Sequence, residues 1–179
     1  PQCRISSLPL QDLGINPQAP CSDIFAHADE YCGISRDEKI SPVLTFLQEQ
    51  NLDAYLFTAA DSSSWLLNLR AHSLPYTPLL RGYTLVDKDG RVSLFAYRHH
   101  LTDNPALAGL NCYDISELPR CLSAYKRQTL GVDFASCPEQ ISALADKYKI
   151  TLHHAADTAA EQKCIKNPVE LQGINAAHQ

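Results

Sequence analysis

Apolar residues recur at helical spacing in some stretches of the chain and in short unbroken runs in others, and the two patterns alternate. Ile40, Val43, Leu44 and Leu47 share one helical face, with Ser35 and Asp37 placed to cap it. Pro42 fits a helix only in its first turn, which moves the expected start toward Ser41. After Asn51, the run Asp53-Ala54-Tyr55-Leu56-Phe57-Thr58 predicts a buried strand. Asp61, Ser62, Ser63 and Ser64 offer capping oxygens ahead of a short helix over Trp65–Leu69. Pro75 and Pro78 make 71–80 a loop. Tyr83-Thr84-Leu85-Val86 and Val92-Ser93-Leu94-Phe95 flank Asp87-Lys88-Asp89-Gly90, and the Asp-Gly pair supplies the turn chemistry of a hairpin.

The second half keeps a strand and helix rhythm. Asn111–Asp114 reads as a strand, 116–127 as a helix despite Pro119, and Thr129–Asp133 as an apolar strand. Cys137-Pro138 opens a helix carrying Ile141, Leu144, Ala145 and Tyr148, and Ile150-Thr151-Leu152 forms another strand. Asn167, Pro168 and Glu170 make a capping box for an amphipathic helix with Val169, Leu171 and Ile174, without a C-cap before Gln179. Alternating elements with one hairpin predict an α/β fold, a mixed β-sheet flanked by helices on both sides.

Residues 1–33 differ, with Pro1, Pro9, Pro17 and Pro20 in polar surroundings, and 1–30 read as a linker or the tail of a preceding unit. The 179 residues suit one domain with appendages, and 45% apolar with 20% charged residues suit a packed core. A net charge of −5 argues against a nucleic-acid partner. No apolar run approaches the roughly 18 residues of a membrane helix, so no membrane partner is expected. The chain contains no Met, which suggests a piece of a longer protein. Seven cysteines, odd in number and without C-x-x-C, suit reduced thiols and a cytoplasmic location.

Chemistry is sparse. His99-His100 and His153-His154 are adjacent pairs whose side chains diverge, so surface positions are expected rather than metal ligation. Cys137 and Cys164 lie where a helix N-terminus would favour thiolate, but neither has a nearby base. Asp61, Asp133 and Asp157 sit at turns and strand ends, where capping is the ordinary role. No nucleophile elbow, phosphate loop or dinucleotide fingerprint occurs. No catalytic residue and no metal ligand is assigned.

Two segments carry a family resemblance. Asn51–Ala59, Ser64-Trp65-Leu66-Leu67-Asn68-Leu69-Arg70 and Pro75-Tyr76-Thr77-Pro78 resemble a signature of three-domain Xaa-Pro aminopeptidases. Ile165-Lys166-Asn167-Pro168-Val169-Glu170, with Ala177-His178, is similar to that family's passage from middle to catalytic domain. Tyr31-Cys32-Gly33-Ile34-Ser35 matches the opening of the middle domain, while Ala71-His72-Ser73 departs from the usual Gly-Ser-Asp.

The resemblance implies a creatinase/prolidase N-terminal-like middle domain over 31–165. It also implies a helix start at 166–179 that leads into a catalytic domain outside this chain. That domain would hold two divalent metals, usually manganese, that activate a water to cleave the bond before proline. No cofactor is then expected in this chain. The implied partners are the chain's own C-terminal catalytic domain, a second copy in a homodimer, and proline-containing peptides as substrates of the parent. The segment would shape substrate access and assembly. The substrate-access candidates are Arg70, whose guanidinium suits a peptide carboxylate, and Trp65 and Tyr76 as aromatic walls, with Asn68 beside them. The ordinary alternative is core packing for Trp65 and a hydrogen-bonded helix terminus for Asn68 and Arg70. Two other readings are a stand-alone binding or assembly module of the same fold, and the N-terminal domain of a prolidase or creatinase relative.

Overall fold

The computed structural model describes residues 24–72, 76–97, 101 and 103–179. The readings at residues 1–23 and at His99-His100 lie outside these. Six strands form one mixed sheet in the order β6-β5-β4-β2-β7-β8. They are β2 (Ala54–Phe57), β4 (Gly82–Asp87), β5 (Val92–Ala96), β6 (Asn111–Asp114), β7 (Thr129–Val132) and β8 (Thr151–His154). β4 pairs antiparallel with both β2 and β5, while β2–β7, β7–β8 and β5–β6 are parallel. The expected hairpin is β4–β5, with Gly90 at φ +83° in its turn and Asp87 Oδ1 accepting from the amides of Asp89 and Arg91.

β2 is buried along its whole length, so its alternate residues serve two cores. On one face Tyr55 and Phe57 pack under α2 (Arg36–Glu49), α3 (Ala60–Leu66) and α6 (Thr158–Cys164) through Ile40, Val43, Leu47, Leu66 and Ala159. On the other, Ala54 and Leu56 meet α4 (Leu118–Leu122) and α5 (Glu139–Tyr148) through Leu118, Leu122, Ile141 and Ala145. Helices therefore cover both faces, as expected.

Four local expectations change. First, α2 starts at Arg36, not near Ser41, and keeps Pro42 in its interior. The Ser35–Glu38 capping box and the buried face of Ile40, Val43 and Leu47 outweigh the one backbone bond that Pro42 forfeits. Second, Ser62, Ser63 and Ser64 do not cap; they lie buried within α3, which begins after Ala59 without a side-chain cap. Ser64 Oγ donates to the Ala60 carbonyl at 2.7 Å and accepts from the Leu80 amide at 2.8 Å. Leu69, expected to end that helix, and Ala71, expected to open a loop, belong instead to strand β3 (Leu69–Ala71). Third, the helix expected over 116–127 is broken into α4 between two 3-10 turns, 115–117 and 123–125. Fourth, Ile24–Ala26, within the stretch expected as connector, forms β1 and pairs antiparallel with β3. Ile24 is buried with Leu67, Leu69, Leu80 and Leu94, and that apolar contact ties the segment down.

Arg36 staples three elements. Its Nε donates to the Leu67 carbonyl at 3.1 Å, Nη1 to Ala108 at 2.9 Å and Nη2 to Ala106 at 3.1 Å. Arg36→Met keeps the stem but orphans three acceptors, so a loss of about 2–3 kcal/mol in urea unfolding is expected. An unchanged midpoint and slope would reduce the staple to decoration.

Candidate functional site

The residues singled out in the sequence converge, with one exception, on the junction of α3, β3 and the last helix, α7 (Pro168–Ala177). Asn68 follows α3 at φ +52°, a left-handed turn that Asn tolerates and that reverses the chain into β3. Its Nδ2 donates to the Ile34 carbonyl at 3.0 Å, and its Oδ1 accepts from Lys39 Nζ at 2.5 Å. Lys39 also donates to the Trp65 carbonyl at 2.9 Å and lies 4.0 Å from the centre of the Trp65 ring. An ammonium that is 2% exposed therefore sits at the C-terminal end of α3, where carbonyls lack helical partners. Burial pushes its pKa down from the ordinary lysine value, partly offset by Cys32 and Glu170.

Trp65 is half-buried against the first core and turns its indole edge outward, where Nε1 donates to Glu170 Oε1 at 3.1 Å. The other Glu170 oxygen accepts from the Asn167 amide at 3.0 Å, completing the expected capping box of α7. Asn167 Nδ2 in turn holds the Cys32 carbonyl at 2.7 Å. Gly33 supplies the room: it has φ +73°, and a Cβ there would stand 2.6 Å from Asn167 Oδ1.

Arg70 alternates with buried Leu69 and Ala71 along β3 and is the half-exposed member. Its Nη1 donates to the carbonyls of Ser64 at 3.1 Å and Leu69 at 2.9 Å. Nε and Nη2 make no hydrogen bond to the described residues. Arg70 lines a cleft of about 340 Å³ with His27, Lys166, Glu170, Gly173, Ile174 and Ala177. Burial, then Arg70 and Lys39, push the His27 imidazole below its ordinary value. Tyr76 is the exception, lying outside this cleft and fully exposed at φ +60°.

Lys39, His27 and Glu170 were not singled out as site residues. Lys39 had a signal: it falls four and eight residues before Val43 and Leu47, a charge on the buried stripe of α2. His27 and Glu170 had none, being 43 and 100 residues from Arg70 in sequence.

Two other places in the fold are candidate ligand sites. In open α/β sheets ligands favour the carboxyl ends of strands where the connections diverge. Here β2 leads to α3 on one face and β7 to α5 on the other. The gap is spanned by a hydrogen bond between Thr58 Oγ1 and Ser136 Oγ, 2.7 Å. A second cavity, about 420 Å³, is lined by charges that already pair, Lys88 with Asp53 and Arg91 with Asp87, both at 2.7 Å.

Metal and thiol chemistry find little support. No three His, Cys, Asp or Glu side chains among the described residues group to hold a metal ion. His153 and His154 are exposed, and the His154 ring lies tilted against Phe134 with ring centres 4.8 Å apart. Cys164 ends α6 rather than opening a helix, and its thiol donates to Ala160. Cys137 does precede α5, but burial, then Glu139 and Asp133, push its thiol up and away from thiolate. Asp157 caps α6 through the amides of Ala159 and Ala160, while Asp61 pairs with Lys163.

Burial likewise raises the thiols of Cys32, Cys112 and Cys121 and the phenols of Tyr55, Tyr83 and Tyr125, the last to about 12. A group whose folded value lies above its unfolded value stabilises fully below the latter and loses that contribution as pH rises. Lys39, shifted down, works the other way across its own alkaline window. The raised thiols and phenols outnumber the one lowered lysine over this range and predict stability that falls above about pH 8.5 and more steeply above about pH 10. Thermal melts between those values and pH 11 would check it, and a rising midpoint would contradict it.

Residues 15–170 match the family model for the creatinase/prolidase N-terminal domain. Xaa-Pro aminopeptidase 1 of Dictyostelium discoideum is 27% identical over 90% of the chain and 26% of that protein. An uncharacterised peptidase of Schizosaccharomyces pombe is 32% identical over 90% of the chain and 27% of its own length. Among solved structures, X-prolyl aminopeptidase from Caenorhabditis elegans superimposes with a TM-score of 0.77 at 20% identity. It covers 89% of this chain and 27% of its own, and is described as a cytosolic enzyme with a di-nuclear active site. The chain spans less than a third of the length of the first curated relatives it matches, 26% to 29%.

Proposed function

Since the chain belongs to the creatinase/prolidase N-terminal domain family, we propose that it is the non-catalytic segment of a metal-dependent Xaa-Pro aminopeptidase. The parent would remove the N-terminal residue that precedes proline. The observation that carries this is the pattern of coverage: 90% of the chain aligns with such enzymes, but only about a quarter of their length is represented. The two metals, manganese by the family's habit, belong to the remaining length. A cytoplasmic location accords with the cytosolic worm enzyme.

In this reading 31–165 is the middle domain and α7 begins the passage to the catalytic domain. Leu171 of α7 is an exposed apolar residue, away from the cleft, that a following domain would cover. Arg70 and the outward edge of Trp65 border substrate access, Asn68 stands buried behind them and holds the turn into β3, and the parent assembles as a homodimer. Tyr76, exposed and apart from the other three, would act only from across a neighbouring surface.

Reading the parent frame past Gln179 tests the assignment: two Asp, one His and two Glu in metal-binding order are expected. Their absence would favour a stand-alone binding module, and a prolidase-type sequence the other family branch. The purified 179-residue chain with manganese should leave an Xaa-Pro peptide intact while the parent cleaves it, and turnover by the chain alone overturns the proposal. In the parent, Arg70→Ala should raise KM for peptides at least several-fold. Unaltered turnover and stability would remove Arg70 from the access route.

A further inference from the structure

The cleft between β3 and α7 has a charge balance unlike the rest of the chain. Arg70 and Lys166 line it with one carboxylate, Glu170, and Lys39 lies buried behind them over the Trp65 ring, in a protein whose net charge is −5. Glu170 is already committed through both oxygens, to Trp65 and to the Asn167 amide. Neither Lys39 nor Arg70 has a carboxylate within ion-pair distance among the described residues. Lys166 spends one donor on the Lys163 carbonyl. Among the described residues Nε and Nη2 of Arg70 have no hydrogen-bond partner while Nη1 is anchored to two carbonyls, so the guanidinium is held with a donating edge toward the cleft. Such an edge matches a carboxylate with two parallel hydrogen bonds.

The opposite wall is apolar and open. Glu170, Gly173, Ile174 and Ala177 fall on one face of α7 by their spacing. At Gly173 a Cβ would meet nothing within 4 Å, which leaves space over the helix backbone. The volume, about 340 Å³, lies at the lower end of small-ligand sites.

We propose that this cleft is a carboxylate-binding site, with Arg70 as anchor and the Gly173–Ala177 face of α7 seating the small apolar group that carries the carboxylate. His27, at the rim, adds a donor. The carboxylate belongs either to the end of a peptide or to an acidic side chain. The site stands whether or not the parent cleaves Xaa-Pro bonds, because its test reads binding and no turnover.

The test is an NMR titration of the 179-residue chain at fixed ionic strength, following the Arg70 Nε–H and Trp65 Nε1–H resonances. N-acetyl-leucine carries a terminal carboxylate, N-acetyl-glutamate α-amide a side-chain one, and N-acetyl-leucinamide none. Saturable shifts of both resonances are expected with at least one acid and not with the amide, and the tighter acid identifies the source. Arg70→Gln should weaken binding at least tenfold. Gly173→Leu fills the open wall while removing no hydrogen bond and improving helix propensity, and should do the same with folding intact. If Arg70→Gln fails to fold, Gly173→Leu decides. Equal shifts from acids and amide, no saturable shift, or full binding by either folded variant overturns the proposal.

Discussion

Replacing Tyr55 by alanine is expected to lower the unfolding free energy by about 3–5 kcal/mol, the range seen when a large buried aromatic is emptied from a core. Tyr55 is fully buried in the central strand, packed edge-on to Phe46 at 6.2 Å and against Phe57 at 4.5 Å between ring centres. Its hydroxyl donates toward the carbonyls of Ala155 and Ala156, both at 3.1 Å, and so fixes the link between β8 and α6. Gly131 on β7 gives the ring its space, since a Cβ there would come within 2.7 Å of it. Two terms thus separate. Tyr55→Phe removes only the hydroxyl and should cost about 1–2 kcal/mol; the remainder belongs to the ring. Urea unfolding of both variants measures the partition. Nearly equal losses would show that the hydrogen bonds, and not the packing, hold this part of the core.

The second large effect concerns Lys39. Lys39→Met keeps an unbranched apolar stem of similar length but leaves Asn68 Oδ1 without its donor and the Trp65 carbonyl with only the Asn68 amide at 3.3 Å. An orphaned acceptor costs about 1–3 kcal/mol, the weakened carbonyl adds less, and both are offset in part because no ammonium is then desolvated, so a net loss of about 1–3 kcal/mol is expected. The variant should also lose the contribution that opposes the thiols as pH rises toward the ordinary lysine value, making the fall in stability below about pH 10.4 steeper. A variant as stable as the parent chain, with the same pH slope, would mean that the buried cation contributes nothing net. The consequence for the site is indirect. Asn68 turns the chain into β3, so loosening it would free Arg70 from its fixed direction and move the Trp65 indole resonance.

Much of the fold was legible locally. The β4–β5 hairpin follows from Asp-Gly between two apolar runs, and the capping boxes at Ser35 and Asn167 mark the starts of α2 and α7. The misread places share a cause. The serines before Trp65 carry capping chemistry, yet Ser64 bonds within its helix and to Leu80, sixteen residues away. Pro42 signals a helix start, yet it is carried by the packing of α2 on the sheet. In both cases tertiary contact overrode a local preference worth only about 1–3 kcal/mol.

The candidate site divides the same way. The segment from Trp65 to Arg70 was identifiable as a family signature, but not what each side chain touches. Trp65 meets Glu170 at a separation of 105 residues, and Asn167 meets Cys32 at 135.

By itself the sequence determined the strand and helix succession, the hairpin, the two strongest helix starts and the family. Those rest on periodicity, turn chemistry and capping, which act over a few neighbouring residues. Only the tertiary structure decided that Ile24–Ala26 pairs with β3, that Lys39 is enclosed, and that Arg70 faces α7 with donors to spare. These depend on which distant apolar faces bury one another, and on the polar groups left between them once they do.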